Sequence, residues 1–273
     1  MMTIEHSPLG KKTDYLNSYS PDLLFPIARK PKRDELGITM PLPFYGYDLW
    51  HHYEVSWLNK KGKPVVAIAQ IIVPAESPYI IESKSLKLYF CSFNQTQFTD
   101  EKAVLDHIIT DLSKAANAPV AVHLFALNNN TINHFDNLVG NCLDDLDVQV
   151  DAYLPTPEIL RTENTIITES LHSHLLRSNC PITNQPDWGS IQISYTGPQI
   201  NPESLLKYLI SFRNHNEFHE QCVERIFTTI LVRCRPTKLT VYAQYTRRGG
   251  LDINPYRSTN SHFEITYPRL IRQ

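Results

Sequence analysis

An order of elements that occurs twice constrains this chain more than any single motif. In the first half, YEVSWLN (53–59) and PVVAIAQIIVP (64–74) read as two strands joined by a turn at Lys60–Lys63. SKSLKLYFCSF (83–93) alternates, with Leu86, Leu88 and Phe90 on one face, and is expected as another strand. TDEKAVLDHIITDLSKAAN is an amphipathic helix. Thr99 would cap it, with Lys102 at the third position instead of the Glu or Gln of a full capping box. APVAVHLFAL is a further strand. The second half repeats the pattern. NTIITESLHSHLLRS and GSIQISYTG read as strands, and NPESLLKYLISFRN opens a helix with Asn201 as cap and Pro202 in the first turn. A second helix, NEFHEQCVERIFTTILV, follows, with Asn214 and Glu217 spaced like a cap and its N3 partner. KLTVYAQYTRRGG is a strand ending in a basic, glycine-containing turn.

The order is thus β-β-α-β twice. The acidic LDDLDVQVD and the prolines of LPTPE mark a connection near residues 150–160. Identity between the halves is low, so the duplication rests on element order. Hairpins interrupted by helices predict an α+β fold, antiparallel sheets with helices on one side, and disfavour a parallel doubly wound sheet. With nine glycines and no GxGxxG after a strand, a Rossmann dinucleotide site is not expected. Residues 1–45 carry six prolines from Pro8 to Pro43 and read as an extended arm laid over a domain.

Composition narrows the function classes. Of 273 residues, 42% are hydrophobic and 20% charged, enough for a well-filled core. The net charge of −2 argues against direct nucleic-acid binding, which needs a basic surface. The five cysteines are odd in number and form no CxxC, so reduced thiols are expected, not a disulfide framework. The N-terminal stretch is polar, and no run approaches the roughly 20 apolar residues of a membrane span. A soluble, cytoplasmic protein with no membrane partner is expected.

Few residues stand out as chemistry. Cys180 lies in SNCPITNQPDWGS among loop formers, which argues for an accessible thiol that a lowered pKa would turn into a nucleophile. A buried small hydrophobe is the commoner fate of a free cysteine. Asp187 is either a turn aspartate or a carboxyl that the neighbouring Trp188 desolvates into a proton donor. Phe218, Cys222, Ile226 and Ile230 recur at four-residue intervals, which puts Cys222 in the core. His219 and Glu220 lie at the start of that helix. Glu220 is either a solvated first-turn acid or an acceptor for a ligand's N–H groups. Glu82, before Lys84 and Lys87, is either on a wet strand face or functional, and Arg247, Arg248, Gly249 and Gly250 form either a surface turn or a phosphate-binding one. The cysteine-histidine set able to converge on a zinc ion would be Cys180, His219 and Cys222, a weaker alternative because Cys222 sits on the apolar stripe. A non-enzymatic base-binding module is a third possibility.

ESKSLKLYFCSFNQT, SNCPITNQPDWGSIQISY, FHEQCVERIF and RRGGLDINPYRS together resemble the 7-cyano-7-deazaguanine reductases, nitrile reductases of queuosine biosynthesis, in their long two-module form. The resemblance spans most of the chain. It implies tandem tunnelling-fold modules, each an antiparallel sheet backed by two helices, over residues 46–155 and 156–273, with residues 1–45 as the arm. It implies a homodimer acting on a small-molecule substrate with NADPH as cofactor and no resident metal. It makes Cys180 the nucleophile and Asp187 the proton donor. Ile81, Glu82, Ser83, His219 and Glu220 become substrate contacts, and Ser83, Lys84, Arg248 and Gly249 cofactor contacts. The long form carries no nucleophile in its first half, and the ESK half here has no copy of CPITNQPDW.

Overall fold

The computed structural model describes residues 16, 18–128, 135–263 and 269–273. The chain divides into two compact units. The described residues of the first fall in Met1–Pro31, Tyr47–His134 and Arg247–Ile253; those of the second fall in Lys32–Gly46, Phe135–Thr246 and Asn254–Gln273. The expected boundary near residue 155 lies inside the second unit, and the expected arm is shared out. Tyr19 and the strand β1 (Pro26–Ala28) go to the first unit, whereas the helix α1 (Lys30–Glu35) crosses into the second.

In the first unit, β2 (Tyr45–Leu58) and β3 (Pro64–Pro74) form an antiparallel hairpin from Tyr47↔Pro74 to Leu58↔Pro64, with a register shift between His52 and Val55. The turn sits where the sequence placed it. Asn59 Oδ1 accepts the N–H groups of Lys61 and Lys63, and Gly62 takes φ 75°, a conformation that favours glycine. Along β3, Ala67, Ala69, Ile71 and Val73 are buried and the residues between them are not, the period of a one-sided sheet. β4 (Tyr79–Ile81) pairs with β1.

The stretch after β4 corrects an expectation. Residues 83–91 are not a strand but the helix α2 (Ser83–Cys91). The 86/88/90 alternation masked a helical set, Leu86, Tyr89, Phe90 and Phe93, spaced i, i+3, i+4, i+7 and each at most 1% exposed. Glu82 caps this helix. The helix α3 (Glu101–Ala116) follows, capped by Asp100 and not by Thr99: the Asp100 carboxylate accepts from Ala103 N at 2.8 Å, and Asn117 ends it in the left-handed region. β5 (Ala121–Phe125) then pairs antiparallel with β3. Trp50, Trp57, Ile71, Phe90, Val104, Ile108 and Leu112 belong to one buried apolar cluster, which Leu251 and Ile253 join.

The second unit repeats the scheme. β6 (Asn141–Cys142) runs parallel to β7 (Thr162–Ser173), which pairs antiparallel with β9 (Pro186–Ile200). β8 (Arg177–Asn179) makes a short hairpin with the start of β9. Two helices follow, α4 (Pro202–Ile210) and α5 (His219–Cys234), and then β10 (Lys238–Tyr245), which pairs with β9 and with β11 (Leu251–Ser258). Asn201 caps α4 as expected, accepting from Ser204 N at 2.9 Å. Asn214 and Glu217 do not cap α5. Asn214 closes a 3-10 turn, Phe218 is the N-cap residue, and the buried Glu217 carboxylate pairs with Arg225. Both units are therefore α+β and mostly antiparallel. Among the described residues no helix is long and apolar enough to cross a membrane.

Candidate functional site

In the second unit the site residues are arranged by one hairpin and one helix start. β8 and β9 pair as Arg177↔Trp188, Ser178↔Asp187 and Asn179↔Pro186. Cys180 follows directly: its N–H donates to Gln185 O, and its carbonyl accepts from Asn184 N, with Asn184 at φ 56°. Directly opposed residues share a face, and so do residues two apart. Ser178 and Asp187 therefore lie on the same face, and Cys180, the residue just past β8, stays tied to the hairpin through its backbone bond to Gln185. All three are buried, Cys180 at 2% exposed and Asp187 at 6%. The accessible loop cysteine expected from its neighbours is corrected accordingly. The loop is held down at Asn216, whose Nδ2 donates to Cys180 O and to Asn184 Oδ1, while Asn179 exchanges backbone hydrogen bonds with His215 and Glu217.

That same anchor delivers α5. Its first residue, His219, places Nε2 3.3 Å from Asp187 Oδ2, and its ring stacks on Tyr245 at 3.8 Å with an interplanar angle of 6°. His219 Nδ1 is buried and has no hydrogen-bond partner among the described residues. Glu220 is 2% exposed, so the solvated first-turn reading does not hold. Trp188 and Asp187 point to opposite sides of β9. Successive strand residues face opposite ways, and Trp188 is 38% exposed with Arg177 and Arg213 over its ring. Cys222 is core, as its spacing implied, and burial pushes its thiol up to about 12, which opposes its use as a zinc thiolate. Among the described residues, the cysteine-histidine group that converges is a different one, Cys142, His172 and His174.

In the first unit the second set of residues gathers at the start of α2. Glu82 is 1% exposed, so it is not on a wet face. Its Oε1 accepts from Lys84 N at 2.8 Å and its Oε2 from Ser85 N at 2.7 Å. Burial raises its pKa, against the pull of those two N–H groups and of the Lys84 and Arg248 charges. Ser83 and Lys84 are half-buried first-turn residues, and Ile81 packs into the apolar cluster. Arg248 and Leu251 close a tight turn through reciprocal backbone hydrogen bonds, with Gly249 at φ 63° and Gly250 at φ 78° as a primed two-residue hairpin requires. A Cβ on Gly249 would stand 3.2 Å from Lys87 Nζ, so this glycine lets backbone and ammonium come together. Lysine, arginine and exposed turn backbone form a donor set suited to a phosphate-bearing cofactor.

Sequence reasoning missed Ser178, Asn216 and Tyr245. Ser178 acts through strand register, Asn216 through side-chain hydrogen bonds remote in sequence and Tyr245 through stacking, none of which leaves a local signal. A surface pocket of ≈ 550 Å3 lined by Gln149, Asp151, Glu158, Arg161, Glu203 and Lys207 contains none of the site residues.

Comparison with known proteins converges on one family. Residues 15–124 match the model described as nitrile reductase, 7-cyano-7-deazaguanine-reductase N-term, and residues 186–263 match the one described as QueF-like protein. Curated relatives named NADPH-dependent 7-cyano-7-deazaguanine reductase include those of Chromobacterium violaceum, 57% identical over 94% of this chain and 92% of the relative, and Ralstonia nicotianae, 56% identical over 98% and 97%. The protein of that name from Azoarcus sp. is 54% identical over 98% of this chain and 96% of the relative. A solved archaeosine synthase QueF-Like in the apo form aligns with 37% of this chain and all of its own, at a TM-score of 0.31 and 15% identity, too low to bear on the fold. On the near-full-length relatives and the two matched models, the chain belongs to the NADPH-dependent 7-cyano-7-deazaguanine reductase family.

Proposed function

We propose that this chain reduces the nitrile of 7-cyano-7-deazaguanine to an aminomethyl group with two NADPH, a step of queuosine formation, through a thioimide on Cys180. The observation that carries the reading is one short hairpin that holds both Cys180 and Asp187 buried, with His219 on the Asp187 carboxylate. A nitrile is a weak electrophile. The Cys180 sulfur, as thiolate, bonds to its carbon, C≡N becomes C=N, and Asp187 gives the nitrogen its proton. Ser83, Lys84, Arg248 and Gly249 would hold NADPH, which would supply one hydride for each of the two reductions. Between them the carbon–sulfur bond breaks, its electron pair leaves with the sulfur as thiolate, and an imine remains. His219, paired with Asp187, serves the proton that completes the amine. An imine hydrolyses readily, so the burial of Cys180 and Asp187 serves the chemistry by excluding water. Phe218, half-buried at the head of α5, belongs to that cover.

Recognition of the base falls to carboxylates. Glu82 and Glu220 are both buried carboxylates, the acceptor type that a deazaguanine's N–H groups need. Ser83, His219 and Ile81 are substrate contacts on the family resemblance, Ile81 through its backbone, its side chain being committed to the core. The tunnelling fold, the two-module division and a cytoplasmic homodimer are parts of the same reading. Intact-mass measurement after exposure to the cyano base tests it. The wild type gains the mass of the base and oxidises NADPH in its presence. Cys180→Ala does neither, and turnover by that variant overturns the reading.

A further inference from the structure

The edge strand β6 brings together three side chains that nitrile reduction does not use. In the β6–β7 register Cys142 stands opposite His172, and His174 lies two residues further along the chain, just past the end of β7. The potential ligand atoms of Cys142, His172 and His174 lie within 4.8 Å of one another. The approach is set by backbone. A Cβ on Gly140, at φ 99°, would fall 2.0 Å from Ser170 O, so only glycine lets the chain lie this close to β7, and Leu143 N then donates to His172 O at 2.9 Å.

The surroundings are those of a ligand set. His174 Nδ1 meets Ser190 Oγ at 2.9 Å, and with Nδ1 as donor its Nε2 carries the lone pair, the arrangement that orients metal-bound imidazoles. The Asp144 carboxylate accepts from Ser173 Oγ and from His174 N, which pins the chain between the two histidines. His172 is 8% exposed and its buried Nδ1 has no hydrogen-bond partner among the described residues, which bonding to a cation would supply. Cys142 is exposed, so its thiolate and a fourth position are open to solvent.

We propose that Cys142, His172 and His174 bind Zn2+ at the β6–β7 edge, with water as fourth ligand. One thiolate and two imidazoles suit this borderline-soft ion. Tetrahedral bonds of about 2.3 Å to sulfur and about 2.0–2.1 Å to nitrogen put ligand atoms roughly 3.4–3.6 Å apart, which modest side-chain rotation reaches from the present spread. The ion would clip the two-residue β6 to the sheet.

The test uses full-length protein stripped with a chelator and titrated with Co2+, then Zn2+. The wild type binds one metal per chain, with a thiolate-to-cobalt charge-transfer band that Zn2+ removes. Cys142→Ser loses that band, weakens Zn2+ binding by at least about tenfold and still reduces the nitrile. Ser190→Ala keeps the band and weakens binding by about tenfold through the loss of His174 orientation. Cys180→Ala binds like the wild type, which separates this site from the proposed nucleophile. No band in the wild type, a band retained in Cys142→Ser or one lost in Cys180→Ala overturns the proposal. Unchanged affinity in Ser190→Ala overturns the three-ligand set.

Discussion

Glu82 holds two roles in one carboxylate. It caps α2 through Lys84 N and Ser85 N, and the proposed function also makes it the acceptor for a ligand's N–H groups. A carboxylate has about four lone-pair sites, so both are compatible. A carboxamide has one acceptor oxygen and cannot serve both. Glu82→Gln is therefore expected to raise KM for the cyano base by about 1–3 kcal/mol of binding, with kcat less affected, and to lower stability by about 1 kcal/mol through the weakened cap. Steady-state kinetics and urea unfolding read the two effects separately, and an unchanged KM removes Glu82 from the substrate contacts. Legibility at this scale was uneven. Cys180 and Asp187 were visible as residues, because a cysteine and an acid in a Pro/Asn-rich loop are chemically conspicuous. Their burial was not visible. It comes from the Asn216 clamp and the Ser178↔Asp187 register, contacts 30 or more residues apart for the clamp and set by strand pairing for the other.

At the scale of elements, the misread segment teaches most. Leu86, Leu88 and Phe90 satisfy a strand period while Leu86, Tyr89, Phe90 and Phe93 satisfy a helical one, and the Glu82 cap decides between them. No propensity rule names glutamate as a preferred N-cap, so the helix start was hidden. At α5 the opposite happened, because a cap-like spacing concealed an ion-pair cluster. The Glu217 carboxylate is 1% exposed, 2.8 Å from Arg225 Nη2, 3.0 Å from His215 Nε2 and 3.1 Å from Lys32 Nζ. Burial alone would raise its pKa, but hydrogen bonds from His215 and Arg225 outweigh that and hold it at about 2. A depressed carboxylate stabilises the fold fully above its unfolded value near 4.5, and the contribution fades as pH falls through about 2. Glu217→Gln is expected to cost about 3 kcal/mol in urea unfolding at pH 7, because it removes the buried partner of Arg225 and leaves that guanidinium to the exposed Glu35, and distinctly less at pH 3. An equal cost at both pH values would show that packing, not charge, is what the side chain contributes.

For the whole molecule, the structure sharpens the repeat that the sequence suggested. With α2 read as a helix, β2-β3-α2-α3-β5 is matched by β7-β9-α4-α5-β10. The first helix of each pair has 9 residues and the second has 16, the latter ending at a left-handed residue, Asn117 or Arg235. Element order was legible because amphipathic period and turn chemistry are local. The assignment of segments to units was not, because it depends on contacts remote in sequence. The first unit takes Arg247–Ile253 from far along the chain: Leu251 and Ile253 enter its apolar cluster, Tyr53 N donates to Gly250 O, and Asp252 accepts from Tyr53 Oη at 2.7 Å and meets His51 Nδ1 at 2.8 Å. The second unit takes Arg33 from the early chain, and its guanidinium meets the buried Glu224 at 2.6 Å beside Arg257. A cut at residue 155 severs both exchanges. The fragment 1–155 would lose two apolar side chains worth about 1.5–3 kcal/mol each and leave His51 and Tyr53 without their carboxylate, against a total stability of about 5–15 kcal/mol. The fragment 156–273 would leave Glu224 with one arginine in place of two. Neither fragment is expected to unfold cooperatively alone, whereas the two expressed together recover a single urea transition. Circular dichroism and tryptophan fluorescence of the separate fragments test this, and a sharp coincident transition in 1–155 by itself would mean that the segment 247–253 is dispensable to the first unit.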